Sequence, residues 1–251
     1  MSVLLVTGTD TGAGKTLVSA AIVAALAARG VRLGVAKPCE TGCAPIDPGA
    51  PLGALHPEDA ATLAAASGND DPLEMVCLYR FPEPLAPALA AERAGASIDV
   101  AHLVETLTAR ARRLDLLLVE GAGGLLVPLT HEVTFADLAH ALGARVLLVV
   151  GSRLGAINHA RLSLEVLKQR SIPTVGYVVN RLVPEGDLAV ETNTALLRSL
   201  TDACYLGEMP FLPNAAATLA ALRAGGAGAL QARTGLAKQA ETHLTLTALS
   251  G

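Results

Sequence analysis

Between two apolar segments the sequence runs Gly8-Thr-Asp-Thr-Gly-Ala-Gly-Lys-Thr16. Gly8, Gly12 and Gly14 free the backbone to turn sharply or approach another group closely, and Lys15 and Thr16 add a cation and a hydroxyl. Such a turn aims consecutive N–H groups inward, where the positive end of a following helix dipole joins them. With the Lys15 ammonium they make a cradle for polyphosphate, and the Thr16 hydroxyl is placed to ligate Mg²⁺. Five residues separate Gly8 from Gly14, one more than the usual Gly-x4-Gly-Lys-Thr loop has, so the stretch is a variant of that motif.

Other residues able to do chemistry close apolar runs. Lys37 follows Val31 to Ala36 and precedes Pro38 and Thr41-Gly42; Glu120 ends Leu114 to Val119 and precedes Gly121-Ala-Gly-Gly124; Asn180 follows Thr174 to Val179. If the runs are strands of an open parallel sheet, these side chains collect at its carboxyl ends, where ligands bind. Glu120 with Thr16 and Asp59 could hold Mg²⁺, which favours a few carboxylates plus phosphate oxygens. Asp59 also suits the first turn of a helix opening at His56-Pro-Glu-Asp59, where the dipole favours acids. A second lysine near a phosphate loop exceeds what nucleotide binding demands, and Lys37 would stabilise an anion meeting the γ-phosphate. Asn180 carries a donor and an acceptor suited to an adenine edge, and Asn180-Arg-Leu-Val183 lacks the aspartate of guanine-reading Asn-Lys-x-Asp segments, which favours ATP.

The elements that must position these groups alternate. Apolar runs at Val3–Val6, Val31–Ala36, Leu114–Glu120, Arg145–Val150, Thr174–Val179 and Ala203–Leu206 read as strands, with a short strand expected at Met75–Tyr79. Helices are expected over 16–29, 58–66, after Pro87, and over 100–113, 134–143, 155–170 and 185–200. Thr134-Phe-Ala-Asp137 has capping-box spacing with Asp in place of Glu. Residues 39–57, rich in proline and glycine, read as a long functional loop. Beyond Asn214 the Ala/Gly-rich chain supports no more than one helix. The expected fold is α/β: a single-domain chain with a mostly parallel sheet and helices on both faces.

Composition narrows the function classes. The 251 residues are 51% hydrophobic and 2% aromatic, so the core is built from Ala, Val and Leu. A net charge of −4 excludes an extended nucleic-acid surface. Four cysteines, Cys39, Cys43, Cys77 and Cys204, are too few for a disulfide scaffold, and Cys39-x3-Cys43 lacks a second pair for zinc. The four-residue apolar run near the start is too short for a leader or a membrane span, so a cytoplasmic location with no membrane contact is expected.

In order and spacing, Gly8-Thr-Asp-Thr11 with Gly14-Lys-Thr16, Lys37-Pro38 with Thr41-Gly42, Glu58-Asp59, Val119-Glu-Gly-Ala-Gly-Gly124, Leu154-Gly-Ala-Ile-Asn-His159, Val179-Asn180 and Met209-Pro-Phe211 resemble the dethiobiotin synthetase family, collinearly over about residues 3–213. The resemblance implies a P-loop fold and ATP-dependent conversion of 7,8-diaminopelargonate and CO₂, through a carbamate and a carbamic-phosphoric anhydride, to dethiobiotin, ADP and phosphate. It implies catalytic roles for Lys37, Lys15 and Thr11, substrate contacts from Thr11 and Thr41, and Mg²⁺ on Thr16, Asp59 and Glu120. Nucleotide contacts would come from Gly12, Ala13, Gly14, Lys15, Thr16, Leu17, Asp59, Glu120, Gly121, Ala122, Gly123, Asn180, Arg181, Met209, Pro210 and Phe211. It implies a homodimer in which Leu154, Gly155 and Asn158 of the other subunit hold the substrate's tail carboxylate, a setting that a helix N-terminus also suits. Gly12 stands where some members carry Glu, and Thr41 keeps the hydroxyl of a Ser found in others. Two alternatives share the fold: a partitioning or cell-division ATPase switch, whose signature lysine falls where Asp10 stands, and the synthetase portion of a cobyrinate-type amidase.

Overall fold

The computed structural model describes residues 2–46, 55–184 and 187–249. In chain order the first half contains β1 (Val3–Gly8), α1 (Lys15–Ala28), β2 (Leu33–Ala36), β3 (Cys39–Thr41), β4 (Ala44–Pro45), β5 (Leu55–His56), α2 (Glu58–Ser67), α3 (Leu73–Val76), β6 (Tyr79–Phe81), α4 (Pro87–Arg93) and α5 (Val100–Ala111). The second half contains β7 (Leu116–Gly124), α6 (Phe135–Ala141), β8 (Arg145–Ser152), α7 (Ala156–Gln169), β9 (Thr174–Arg181), α8 (Leu188–Leu200), β10 (Tyr205–Met209), α9 (Ala215–Ala224) and α10 (Gly226–His243).

Six strands form one parallel sheet in the order β10-β9-β8-β1-β7-β2. The apolar runs are continuous because both faces are covered, and period two then sends alternate residues to opposite cores. Leu4 and Val6 of β1, with Leu116 and Leu118 of β7, meet α1, α2 and α10 on one face. Leu5, Leu117 and Val119 meet α4, α5 and α6 on the other. β1 lies centrally between β7 and β8, so its carboxyl end opens at the middle of the sheet edge.

The capping box at α6 forms in both directions: Asp137 N donates to Thr134 Oγ1 at 3.4 Å and Thr134 N donates to Asp137 Oδ2 at 2.8 Å. Three expectations need correction. The segment expected as a strand at Met75–Tyr79 is instead the turn α3 leading into β6, because Pro72 starts a helical turn and Cys77 leaves it in extended conformation. The long loop at 39–57 contains β3, which pairs in parallel with β6, and the antiparallel pair β4 and β5; residues 47–54 of that loop, like Glu185 at the expected start of α8, lie outside the described residues.

The third correction concerns the C-terminus, which forms two helices rather than at most one. Small residues blur their periodicity, yet Leu222, Leu236, Ala237 and Ala240 are buried in the same core as α1. Beyond α10, Thr245 N donates to Leu206 O at 2.6 Å, and Leu244 bridges Gly207 of β10. Gly207 has φ 130°, and a Cβ there would stand 1.9 Å from His243 O, so only glycine lets the chain end cross β10. Because Leu236 is enclosed between α10 and α1, Leu236→Ala should lower the unfolding free energy by about 2–5 kcal/mol, read from urea denaturation midpoints.

Candidate functional site

The turn between β1 and α1 ends at Gly14, whose φ of 84° is left-handed and whose missing Cβ admits Asn180. A Cβ at Gly14 would lie 2.0 Å from Asn180 Nδ2. That amide donates to Ala13 O at 3.0 Å and braces the loop from the end of β9. One of its two N–H groups is thus used on the loop, while Asn180 Oδ1 is buried without a partner. Lys15 folds back beneath the loop, donating to Asp10 O at 3.4 Å. Burial, and next the charge of Lys37, lower its pKa.

The register of β2 against β7 pairs Ala36 with Val119, so the next residue of each, Lys37 and Glu120, emerge side by side. Lys37 Nζ donates to Glu120 Oε1 at 2.7 Å and to Gly121 O at 3.2 Å, and lies 2.9 Å from Asp59 Oδ2. Thr16 Oγ1 donates to the same Glu120 Oε1 at 2.8 Å. The Glu120 side chain is 0% exposed and that of Lys37 4%. Burial alone would favour the neutral amine, but the Glu120 and Asp59 carboxylates outweigh it and raise the Lys37 pKa. Burial would likewise raise Asp59, yet the Lys37 ammonium hydrogen-bonded to it holds it below the usual carboxylate range.

Glu120 Oε2 is buried with no partner. Among the described residues no group of three or more His, Cys, Asp or Glu forms a protein-only metal cage. Two carboxylates and a hydroxyl, one oxygen still unclaimed, instead make an all-oxygen half-shell of the kind a small hard cation completes with phosphate oxygens.

Of these residues Lys15, Thr16, Lys37 and Asp59 line a cavity of about 680 Å³, whereas Glu120 and Asn180 do not. It brings together Thr11, Gly12, Gly14, Lys15, Thr16, Leu17, Lys37, Thr41, Asp59, Ala122 and Gly123. It also takes in residues the sequence reading passed over: Glu40, the Pro84–Pro87 turn, Val127, and Leu219 from α9. Glu40 had a visible signal, an acid beside Thr41 just after Lys37-Pro38, but nothing local showed that it would be buried. Burial, and next the Asp59 charge, push its carboxyl up to about 7.

The remaining expected residues lie apart. Met209 is buried in β10, Pro210 and Phe211 follow half-buried, and Arg181 pairs with Glu208. Leu154, Gly155 and Asn158 border a separate groove of about 1110 Å³ between α7 and α8, with Leu154 87% exposed. Gly155 caps α7 at φ 91°. A third cavity, of about 430 Å³, reaches from Thr11 and Val127 to His159 and Leu162 and so lies between the other two.

A family model described as an AAA domain matches residues 2–218. The chain is 45% identical over 219 residues to an ATP-dependent dethiobiotin synthetase of Anaeromyxobacter dehalogenans, covering 87% of this chain and 94% of that protein. Against the protein of the same name from Ralstonia nicotianae it is 41% identical over 216 residues, covering 86% and 92%. Among solved structures it is similar to a ParA family ATPase from Chlorobium tepidum, with a TM-score of 0.56, 14% identity, and 99% and 98% of the two chains covered. The septum site-determining protein MinD of Pyrococcus horikoshii, complexed with Mg-ADP, gives a TM-score of 0.53 at 16% identity over 100% and 98%. The structural neighbours share the fold alone.

Lys37→Ala would leave the Glu120 carboxylate buried without its counter-charge and should cost about 3–5 kcal/mol of stability in urea unfolding. Adding Glu120→Gln should return most of that loss, because it removes the charge that needs compensating.

Proposed function

The chain belongs to the ATP-dependent dethiobiotin synthetase family, and on that premise we propose how its residues share the work. The reaction is ATP-dependent and belongs to biotin biosynthesis. One amine of 7,8-diaminopelargonate bonds to CO₂ and loses a proton, giving a carbamate. A carbamate oxygen then bonds to the γ-phosphorus as its bond to ADP breaks. The second amine attacks the carbamoyl carbon, phosphate leaves, and loss of that amine's proton completes the cyclic urea.

Every intermediate before ring closure is anionic, so positioning and fixed positive charge can supply most of the rate enhancement. The observation that carries this reading is the buried Lys37 ammonium, held in the 680 Å³ cavity beside the phosphate loop. Lys37 would face the anionic oxygens of the carbamate and γ-phosphate, and Lys15 with the loop N–H groups from Gly12 to Thr16 would hold the β- and γ-phosphates. Thr11 and Thr41 would orient the carbamate or the free amine. The oxygen donors of Thr16, Asp59 and Glu120 suit Mg²⁺, which when bound would neutralise charge between the phosphates. Asn180, with Arg181 and the Met209-Pro-Phe211 segment at the adjoining strand ends, would bind the adenosine side.

A homodimer is the natural assembly for this surface. Leu154, Leu162, Leu188 and Leu196 are exposed on the α7 and α8 side, a patch of the kind that marks association sites. A second copy seated there would bring its own Leu154, Gly155 and Asn158 towards the diaminopelargonate tail. The chain acts as a single domain, and a reducing cytoplasmic setting agrees with four free cysteines. No helix among the described residues is long and apolar enough to cross a membrane.

Supplying the diamine, ATP and labelled bicarbonate should yield a labelled cyclic urea, and ATP turnover should depend on the diamine; brisk turnover without it would sink the reading. Lys37→Ala, assayed well below its melting temperature, should lose about 10²–10³ in kcat while ADP affinity stays within about threefold. Chelation of Mg²⁺ should stop turnover, and adding it back should restore it.

A further inference from the structure

Helix α2 begins at Pro57, which offers no side-chain cap to the N–H groups of the first turn. Those donors go instead to Glu40 on β3, nineteen residues upstream: Asp59 N to Oε1 at 2.9 Å and Ala60 N to Oε2 at 3.0 Å. Both oxygens of a carboxylate 6% exposed are therefore clamped on one helix end. Asp59 is held at two points, its N–H by Glu40 and its carboxylate by Lys37.

A cap that served stability alone would be expected from a Ser, Thr, Asp or Asn at position 57, exposed and local. Glu40 instead places a buried acid next to the half-buried Asp59, a costly choice unless it accomplishes something more. What it accomplishes is geometric. β3 continues directly from Lys37-Pro38 and carries Thr41, so the Glu40 clamp fixes the first turn of α2 against the segment that bears two of the proposed reacting-side groups.

We propose that Glu40 is a positioning residue: by holding the backbone at Asp59 it sets the reach of the Asp59 carboxylate towards Lys37 and Thr16, and so tunes the cation-binding corner of the site. The inference rests on the reading of Thr16, Asp59 and Glu120 as Mg²⁺ ligands. Outer partners of metal ligands act in this way, orienting donors they do not replace.

The test measures ADP binding by calorimetry with and without Mg²⁺, alongside thermal unfolding, for the full chain carrying Glu40→Ala, Glu40→Gln, or Glu40→Ala with Pro57→Ser. The serine supplies a conventional cap in its place. Metal-free ADP affinity should stay within about twofold, whereas the Mg²⁺ concentration needed for tight ADP binding should rise about tenfold in Glu40→Ala and less in Glu40→Gln, which keeps one acceptor. The double variant should regain melting temperature without regaining Mg²⁺ affinity. If the serine restores both, or if the variants lose only melting temperature, Glu40 is an ordinary cap and the proposal fails. Should Glu40→Ala not fold, Glu40→Gln and the double variant carry the same comparison. Wild-type ADP binding indifferent to Mg²⁺ would be a different failure, overturning the metal reading itself and this inference with it.

Discussion

A carboxylate with no exposed surface cannot stay charged unless a cation is brought to it, and the Lys37–Glu120 pair is the constraint on which the site depends. The sheet delivers both groups together. Ala36 and Val119 are partners across β2 and β7, so the residues that follow them stand side by side at one level, Lys37 just past the end of β2 and Glu120 within β7. A slip of one residue in that register would turn every inward side chain of β2 to the other face and separate the pair, so core packing and site assembly enforce the same register. Thr16 joins on the same Glu120 oxygen, which ties the first turn of α1 to β7 as well.

Residues at the ends of apolar runs were legible because a strand buried on both faces leaves few polar positions, and those it leaves sit at its ends. Lys37, Glu120 and Asn180 were found in this way. What Asn180 does was less legible: its amide braces Ala13, a partner 167 positions away that no local pattern encodes. Glu40 was missed for the same reason, since its donors lie on a helix nineteen and twenty positions further along the chain. The paired C-terminal helices escaped because alanine and glycine give little contrast between buried and exposed faces. Their role is apparent only from the neighbours they cover.

The architecture by itself would not have chosen among functions. Cell-division MinD proteins and a ParA family ATPase are similar in structure over nearly the whole chain at 14–18% identity. Function is read from the side chains at the carboxyl ends of the strands rather than from the sheet. The sheet's contribution is to hold the ends of β1 and β2 and the Ala122–Gly123 part of β7 beside one cavity while loops of unlike length approach from several directions.

Helix α10 gives the fold a temporal property. It covers α1, the helix behind the phosphate loop, and Arg29 of the α1–β2 turn pairs with Glu241 near its far end. α1 is therefore enclosed by a helix far along the chain, Arg29 and Glu241 standing 212 positions apart. On a ribosome β1 and α1 emerge well before α10, so the side of α1 that α10 covers stays open until α10 has been made. Contacts of such sequence separation must close a long loop and form late in folding. A nascent chain would thus hold the residues of its phosphate cradle before the core behind them is closed, and synthesis of α10 becomes the event that closes the site's foundation.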